Sequence, residues 1–355
     1  MTEQNMDSSG LPSQFVHKIV EGIFQIKMPL MAGELSDLNH VNIYLVQGSH
    51  GWTLIDTGWK TEKTVDFMNQ ALAAMPVKIS DIERIIISHT HPDHYGLAGE
   101  FKKALPQVPI FIHYWEKLLI QTRYIDYIRG LKEADEYLEK HGFPKNISGN
   151  SAVAFRNVLE KVVPVLPDSY LTGGEIISTG VFDLEIIWTP GHSPGHICIY
   201  EPRKQILFAG DYILPSITPN ISSSPVSGDD PLGAYLDCYN KIKQLAVKLV
   251  LPGHQDPFSD WHKRMQTIVL HHKDRGAEIL ESMSDNPLNA YQIASLITWT
   301  INKKKWTEIP PVQQRMATGE VIAHMEHLYW QGKVKRIWQS SQIQYQKKSI
   351  GAKSN

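Results

Sequence analysis

The chain has 355 residues, enough for one large or two modest domains at roughly 150 residues each. Hydrophobic residues make up 42% and charged residues 20%, an ordinary globular balance that excludes disordered, collagen-like and coiled-coil chains. Lys and Arg number 35 against 37 Asp and Glu, a formal net charge of −2 without the basic excess of a general nucleic-acid binder, so nucleic acid is not an expected partner. Two cysteines, Cys198 and Cys238, cannot build a disulfide framework, which fits a reducing compartment. The polar N-terminal stretch does not resemble a signal peptide, and no window approaches the roughly 18 apolar residues of a bilayer span. The expectation is a cytoplasmic protein without membrane association.

Short apolar runs at Val20–Met28, Asn42–Val46 and Trp52–Ile55, bounded by turn residues, read as strands. Thr61–Ala74 has helical periodicity, Arg84–Ser88 is a strand, Gly96–Leu105 a helix and Pro109–His113 a strand. Strands alternating with helices argue for an α/β architecture. From about 114 to 170 the pattern turns helical and reads as an insertion, with Leu118, Leu119, Tyr124, Ile125, Tyr127 and Ile128 forming an apolar face. Strands resume at Leu184–Trp188, His196–Tyr200, Gln205–Phe208 and Leu249–Leu251, with a helix over Pro231–Val247. Beyond Pro257 come helices at Asp260–Met283, Ala290–Trp299 and Pro311–Trp330, then a hairpin at Val334–Ile337 and Ile343–Gln346. That order suggests a winged-helix-like appendage. The expected organisation is one domain over 1–258, carrying the insertion, and a second over 259–355.

The chemistry concentrates in histidine. Sixteen are present, and three of them fall with one carboxylate in the run Ser88-His89-Thr90-His91-Pro92-Asp93-His94, directly after the strand IERIII. Strand ends are where an open α/β sheet presents side chains to a crevice. In a turn, neighbouring side chains diverge enough to reach two centres, so H-x-H-x-D-H reads as a metal site. Three further ligand-type residues follow apolar strands: His192 after LEIIW, Asp211 after QILF and His254 after KLVL. Each alone is an ordinary turn; with the first cluster they form a set of seven.

In this order, LIDTG with Asp56, the H-x-H-x-D-H run, His192, Asp211 and His254 resemble the metallo-β-lactamase-fold hydrolase superfamily, over roughly Val20 to Pro257. The resemblance implies a four-layer αββα sandwich, with the helical insertion and the small C-terminal helical, winged-helix-like domain as additions. It implies a dinuclear site in which His89, His91 and His192 hold one metal. Asp93, His94 and His254 would hold the other, Asp211 would bridge both, and Asp56 would orient the loop without ligating. Asp at 211, where zinc β-lactamases carry Cys, argues against antibiotic hydrolysis. His at 91, where the di-iron flavoproteins of this fold carry Glu, argues against that branch. The thiolate-free ligand set suits two divalent ions, zinc first, with iron or manganese open.

Two cations sharing a water would lower its pKa from 15.7 to about 7 and generate a nucleophile, with Asp93 and Asp211 as catalytic carboxylates that orient the water and take its proton. The leading expectation is a hydrolase of small-molecule esters or thioesters, similar to the glyoxalase II-like, hydroxyacyl-glutathione-hydrolysing branch. A lactonase and a phosphodiesterase or RNA endonuclease are the alternatives. His196 reads as a satisfied buried histidine. Tyr212, His272 and Arg275 are candidate substrate contacts, the latter two within the basic stretch His271–Arg275. Tyr114, Trp115, Tyr124 and Tyr127 are either a lid over the substrate or ordinary core. Lys303–Lys305 and the pair Lys347–Lys348 read as solubilising charge, and a homodimer is admissible.

Overall fold

Val41, Ile43 and Leu45 face one side of a strand while Tyr44 and Val46 face the other, and all five are buried. A strand apolar on both faces must lie between two layers. The computed structural model, which describes residues 15–30, 39–75, 77–148, 158–299 and 305–348, shows what those layers are. The chain forms two compact units; the first comprises Met1–Ile125, Asn157–Pro219 and Gln244–Arg264.

The first unit holds two sheets. Strands β1 (Val16–Val20), β2 (Ile23–Pro29), β3 (His40–Gln47), β4 (Trp52–Ile55), β5 (Ile82–Ile86), β6 (Ile110–His113) and β7 (Ser169–Leu171) lie side by side in chain order. Pairing is antiparallel from β1 to β4 and parallel from β4 to β7. The second sheet runs β12-β11-β10-β9-β8, built from β8 (Ile176–Ser178), β9 (Asp183–Trp188), β10 (Ile197–Glu201), β11 (Ile206–Gly210) and β12 (Leu249–Pro252). One apolar cluster joins Tyr44, Val46, Ile55 and Ile86 of the first sheet to Leu184, Ile197, Phe208 and Leu251 of the second, so the sheets pack face to face. The other cluster sets Ile43, Leu45, Leu54 and Ile85 against Met68 and Leu72 of the helix Glu62–Ala73 and Phe101 of the helix Ala98–Ala104. The expected α/β sandwich is present. The expected strand Val20–Met28 is β2 from Ile23 onward; its first residue ends β1, and the two strands form a hairpin that turns where Gly22 takes a φ of 80°. Strands β7 and β8, of three residues each, were too short to leave a period in the sequence.

The second unit comprises Asp126–Arg156, Asn220–Lys243 and Met265–Asn355. Here the linear division at 258/259 does not describe the chain. The helix Tyr127–Lys140, expected as part of an insertion in the first domain, contributes Leu138 to the same core as Ile279, Ile293, Val321 and Tyr345. The helix Pro231–Ile242 also belongs to this unit. The first stretch of the expected insertion, 114–125, stays with the sheets. An amphipathic stripe specifies burial but not which core buries it, which is why sequence order misled. The helices Ala290–Leu296 and Pro311–Trp330 and the hairpin β13 (Val334–Gln339) and β14 (Gln342–Lys347) follow in the expected order. Leu288 adds a single bridge to Tyr345 on the hairpin. Of the basic pairs, Lys303 and Lys304 lie outside the described residues. No helix among the described residues is long and apolar enough to cross a membrane.

Three buried histidines make the second unit acid-sensitive. Burial holds His141 and His324 down to about 4 and His272 down to about 2. An unfolded imidazole titrates near about 6.5, so below that value the unfolded chain takes up protons that the folded one refuses. This stability is therefore complete above about 6.5 and is lost as pH falls toward the folded values. The urea midpoint is expected to drop between about pH 7 and about pH 5, and His324→Gln to make that dependence shallower; an unchanged slope contradicts the assignment.

Candidate metal centre

Parallel pairing of β4 with β5 and of β11 with β12 puts the C-terminal ends of these strands at one edge of the sandwich. Asp56 directly follows β4 and Asp211 directly follows β11, while His89 comes three residues after β5 and His254 two after β12. His192 comes from the turn after β9. His91 precedes and His94 lies within the one-turn helix Pro92–Tyr95, which opens with Pro at its first position.

All seven side chains converge. His89, His91 and His192 form one group, His89, His94 and Asp211 a second, and Asp93, His94 and His254 a third, with ligand-type atoms in each group within 4.8 Å of one another. His91 Nδ1 sits 2.9 Å from both His89 Nε2 and His192 Nε2. Asp211 reaches both sides, with Oδ1 3.5 Å from His94 Nε2 and Oδ2 3.6 Å from His192 Nε2 and 3.4 Å from His254 Nε2. Asp93 Oδ2 lies 3.3 Å from His254 Nε2.

The inward nitrogens are fixed from behind. His94 Nδ1 is 2.8 Å from Asp56 Oδ2, and His254 Nδ1 is 2.8 Å from the carbonyl of His40, so each ring donates outward and turns Nε2 to the centre. Asp56 also accepts from the Ser88 amide at 2.7 Å and the Ser88 hydroxyl at 2.8 Å. It does so from a left-handed backbone, φ 62°, a conformation that Asp tolerates better than most residues. The expected supporting role of Asp56 thus has a full set of contacts.

The charges of the centre oppose one another. Burial is the largest influence on His94 and resists protonation, yet Asp211, Asp56 and Asp93 outweigh it and hold the ring well above its ordinary value. His254 is pushed up to about 10 against the same burial, chiefly by Asp211 and Asp93. Burial, His94 and His91 hold His89 well below its usual range. Burial, His192 and then Arg123 do the same to His91. Asp93 and Asp211 stay ionised because His94 and His254 overcome their desolvation.

The residues fit a bound cation pair. His94 Nε2 and Asp211 Oδ1 are buried without a hydrogen-bond partner among the described residues, an expensive state unless something else satisfies them. Backbone space is reserved as well: a Cβ at Gly253 would lie 2.4 Å from Asp211 Oδ1 and 2.8 Å from His94 Cε1. Gly210, with φ 48°, would place one 2.6 Å from His196 Nε2. Among these donors are only imidazole nitrogens and carboxylate oxygens.

Glu116 is a residue that sequence reasoning missed. It is fully buried. Its carboxylate accepts from the Thr90 amide at 2.8 Å, the Thr90 hydroxyl, the Ser193 hydroxyl at 2.7 Å and the Gly195 amide at 2.8 Å. It therefore ties the loop of His89 and His91 to the loop of His192. A lone Glu after an aromatic pair carries no sequence signal of that role. His196 is buried as expected, its Nδ1 2.7 Å from the Thr189 hydroxyl and its Nε2 accepting from the Asp211 amide at 3.0 Å.

The other expected contacts sit elsewhere. Tyr212 is fully buried, its ring 6.4 Å from that of His196. His272 and Arg275 are absorbed within the second unit. His272 is buried 3.3 Å from His324, and Arg275 is engaged by Glu278, Glu320, the Thr298 carbonyl and the face of Trp299. Tyr124 is core, its hydroxyl donating to the Thr90 carbonyl at 2.5 Å, whereas Tyr114 and Trp115 are exposed.

The family model described as the metallo-beta-lactamase superfamily matches residues 36–254. The chain belongs to that superfamily. The probable metallo-hydrolase YqjP of Bacillus subtilis (strain 168) is 23% identical over 312 residues, 86% of this chain and 92% of that protein. The acyl-coenzyme A thioesterase MBLAC2 of Gallus gallus is 28% identical over 253 residues, 69% of this chain and 82% of that protein. A solved metallo-beta-lactamase family protein from Thermus thermophilus superposes with a TM-score of 0.77 at 26% identity, covering 93% of this chain and 100% of its own. This superfamily member is accordingly a metallo-hydrolase by class, in a fold that binds divalent metals.

Glu116→Ala strands two buried amides and two hydroxyls, at a cost of about 3 kcal/mol. The expected outcome is a lower unfolding midpoint together with reduced metal content by elemental analysis. Glu116→Gln, which keeps the acceptor oxygen, is expected to fall between the two.

Proposed function

We propose that this metallo-hydrolase is a dinuclear, zinc-dependent thioesterase whose substrates are acyl thioesters of the coenzyme A type. The observation that carries the reading is the convergence of seven nitrogen and oxygen donors around a shared Asp211. His89, His91 and His192 would hold one ion and Asp93, His94 and His254 the other. Similarity to a protein named an acyl-coenzyme A thioesterase favours that thioester over the hydroxyacyl-glutathione class.

Bound there, a pair of divalent ions supplies Lewis acidity that makes water reactive near neutral pH. The protein supplies placement and proton handling. Asp93 is the more open carboxylate, with 22% of its side chain exposed against 10% for Asp211, which favours it as the acceptor of the attacking water's proton in this reading. Asp211, held through its amide by His196, keeps its orientation as charge moves. Asp56 and the His40 carbonyl prevent His94 and His254 from turning away. The departing alkyl thiolate is a far weaker base than an alkoxide and leaves without help from a general acid.

Turnover of an acyl-coenzyme A, a lactone and bis-p-nitrophenyl phosphate on one metal-replete sample separates the readings. The thioester is expected to be hydrolysed fastest; a preference for the lactone or the phosphodiester overturns the proposal. His91→Ala is expected to lose about half of the bound metal and nearly all turnover, because an incomplete donor set does not retain its ion. Full metal content with full turnover in that variant would refute the ligand assignment.

A further inference from the structure

The segment that follows β6 carries more than Glu116. Trp115 and Tyr114 are each 50% exposed, and neighbouring exposed aromatics carry more information than scattered ones. They form a continuous aromatic group with Tyr170. Tyr114 lies 5.6 Å from Trp115 and 5.8 Å from Tyr170, both edge to face, and Lys117 Nζ stands 5.6 Å over the Tyr170 ring. The Tyr114 amide donates to the Leu171 carbonyl at 2.8 Å, which fixes the segment to β7.

This shelf belongs to the edge that presents the metal centre. Strands β5, β6 and β7 are parallel, so the chain leaves β5 toward His89 and β6 toward Tyr114 on the same side. Glu116, between Trp115 and Lys117, is hydrogen-bonded to Thr90 and Gly195. Farther on, the π-helical turn Gln121–Ile125 places Arg123 beside Tyr124, whose hydroxyl is on the Thr90 carbonyl. Lys117 is exposed, and the one contact of its ammonium among the described residues is the face of Tyr170. Arg123, half-buried, lies nearer the metal centre, where its charge acts on His91.

We infer that Tyr114, Trp115, Tyr170 and Lys117 form the seat of a purine nucleoside phosphate, the part of a coenzyme A thioester remote from the reacting carbonyl. The inference rests on the thioesterase reading. Flat aromatic faces accept any base by stacking, and the ammonium beside them takes a phosphate. The exposed Leu118 lies in the same segment, but three aromatic rings with a cation over one of them match a base and its phosphate better than an acyl chain. Binding energy from such a remote group can be used to hold the thioester carbonyl in place.

The test uses the full, metal-replete chain. Calorimetry with adenosine 3′,5′-bisphosphate is expected to give a saturable isotherm. Trp115→Leu and Lys117→Ala are expected to weaken it about tenfold each, while Trp115→Phe and Lys117→Arg recover most of it. In parallel, each variant is assayed on an acyl-coenzyme A and on the same acyl group carried by N-acetylcysteamine, which lacks the nucleotide. The preference for the coenzyme A thioester, as a ratio of kcat/KM values, is expected to fall about tenfold, mainly through KM. No isotherm with the wild-type chain, or an unaltered preference in the variants, overturns the seat. Failure of both thioesters to react would sink the thioesterase reading, and the isotherm would still decide the seat.

Discussion

Everything at this edge depends on burying ionised carboxylates beside imidazoles that cannot all be protonated. His91 Nδ1 lies 2.9 Å from two other ring nitrogens, while Asp211 lies within 3.6 Å of three histidines. Proton sharing can settle the Asp93, Asp211, His94 and His254 side, where rings are driven up and acids down. On the other side burial holds His89 and His91 low, and the ring nitrogens of His89, His91 and His192 crowd within hydrogen-bond distance. A shared positive centre satisfies both halves at once, and desolvated donors otherwise cost several kcal/mol.

That conflict explains how much of the fold is given over to holding the donors still. Two hydrogen-bond anchors lie behind the inward nitrogens, at Asp56 and the His40 carbonyl. A third, Glu116, sits between loops that are about a hundred residues apart in sequence, Thr90 and Ser193. The glycines at 210 and 253 serve the same end by omission, since a single carbon at either would occupy space needed by His196 or Asp211. Rigidity of this kind lets the donors keep their separation when charge shifts during a reaction, which is the main contribution a protein makes to metal-assisted hydrolysis.

The donor set was legible in the sequence because strand ends concentrate it: apolar run, small residue, ligand is a local pattern. His192, Asp211 and His254 each follow that grammar. Other features left no local trace. Glu116 acts on residues 26 and 77 positions distant, and nothing in its neighbours marks it. The helix Tyr127–Lys140 was recognisable as a helix but not as a member of the core around Val321, and Pro231–Ile242 not as part of the second unit, because amphipathicity is silent about the partner. His272 and Arg275 looked like anion binders because their local charge was visible and their buried neighbours, His324, Glu320 and Trp299, were not.

Residues 114–125 tie an exposed surface to the centre without contributing to the cluster of ligand-type side chains. One face of this segment looks inward: Glu116 and Tyr124 bind the Thr90 amide and carbonyl, on the loop that bears His89 and His91. The other face looks outward through Tyr114, Trp115, Lys117 and Leu118. Because the inward contacts are made by buried, hydrogen-bonded groups, the outward ones keep a fixed position relative to the loop that bears His89 and His91. The segment that joins the two faces is helical throughout its last ten residues, α over Glu116–Ile120 and π over Gln121–Ile125, so the two sets of side chains move together or not at all.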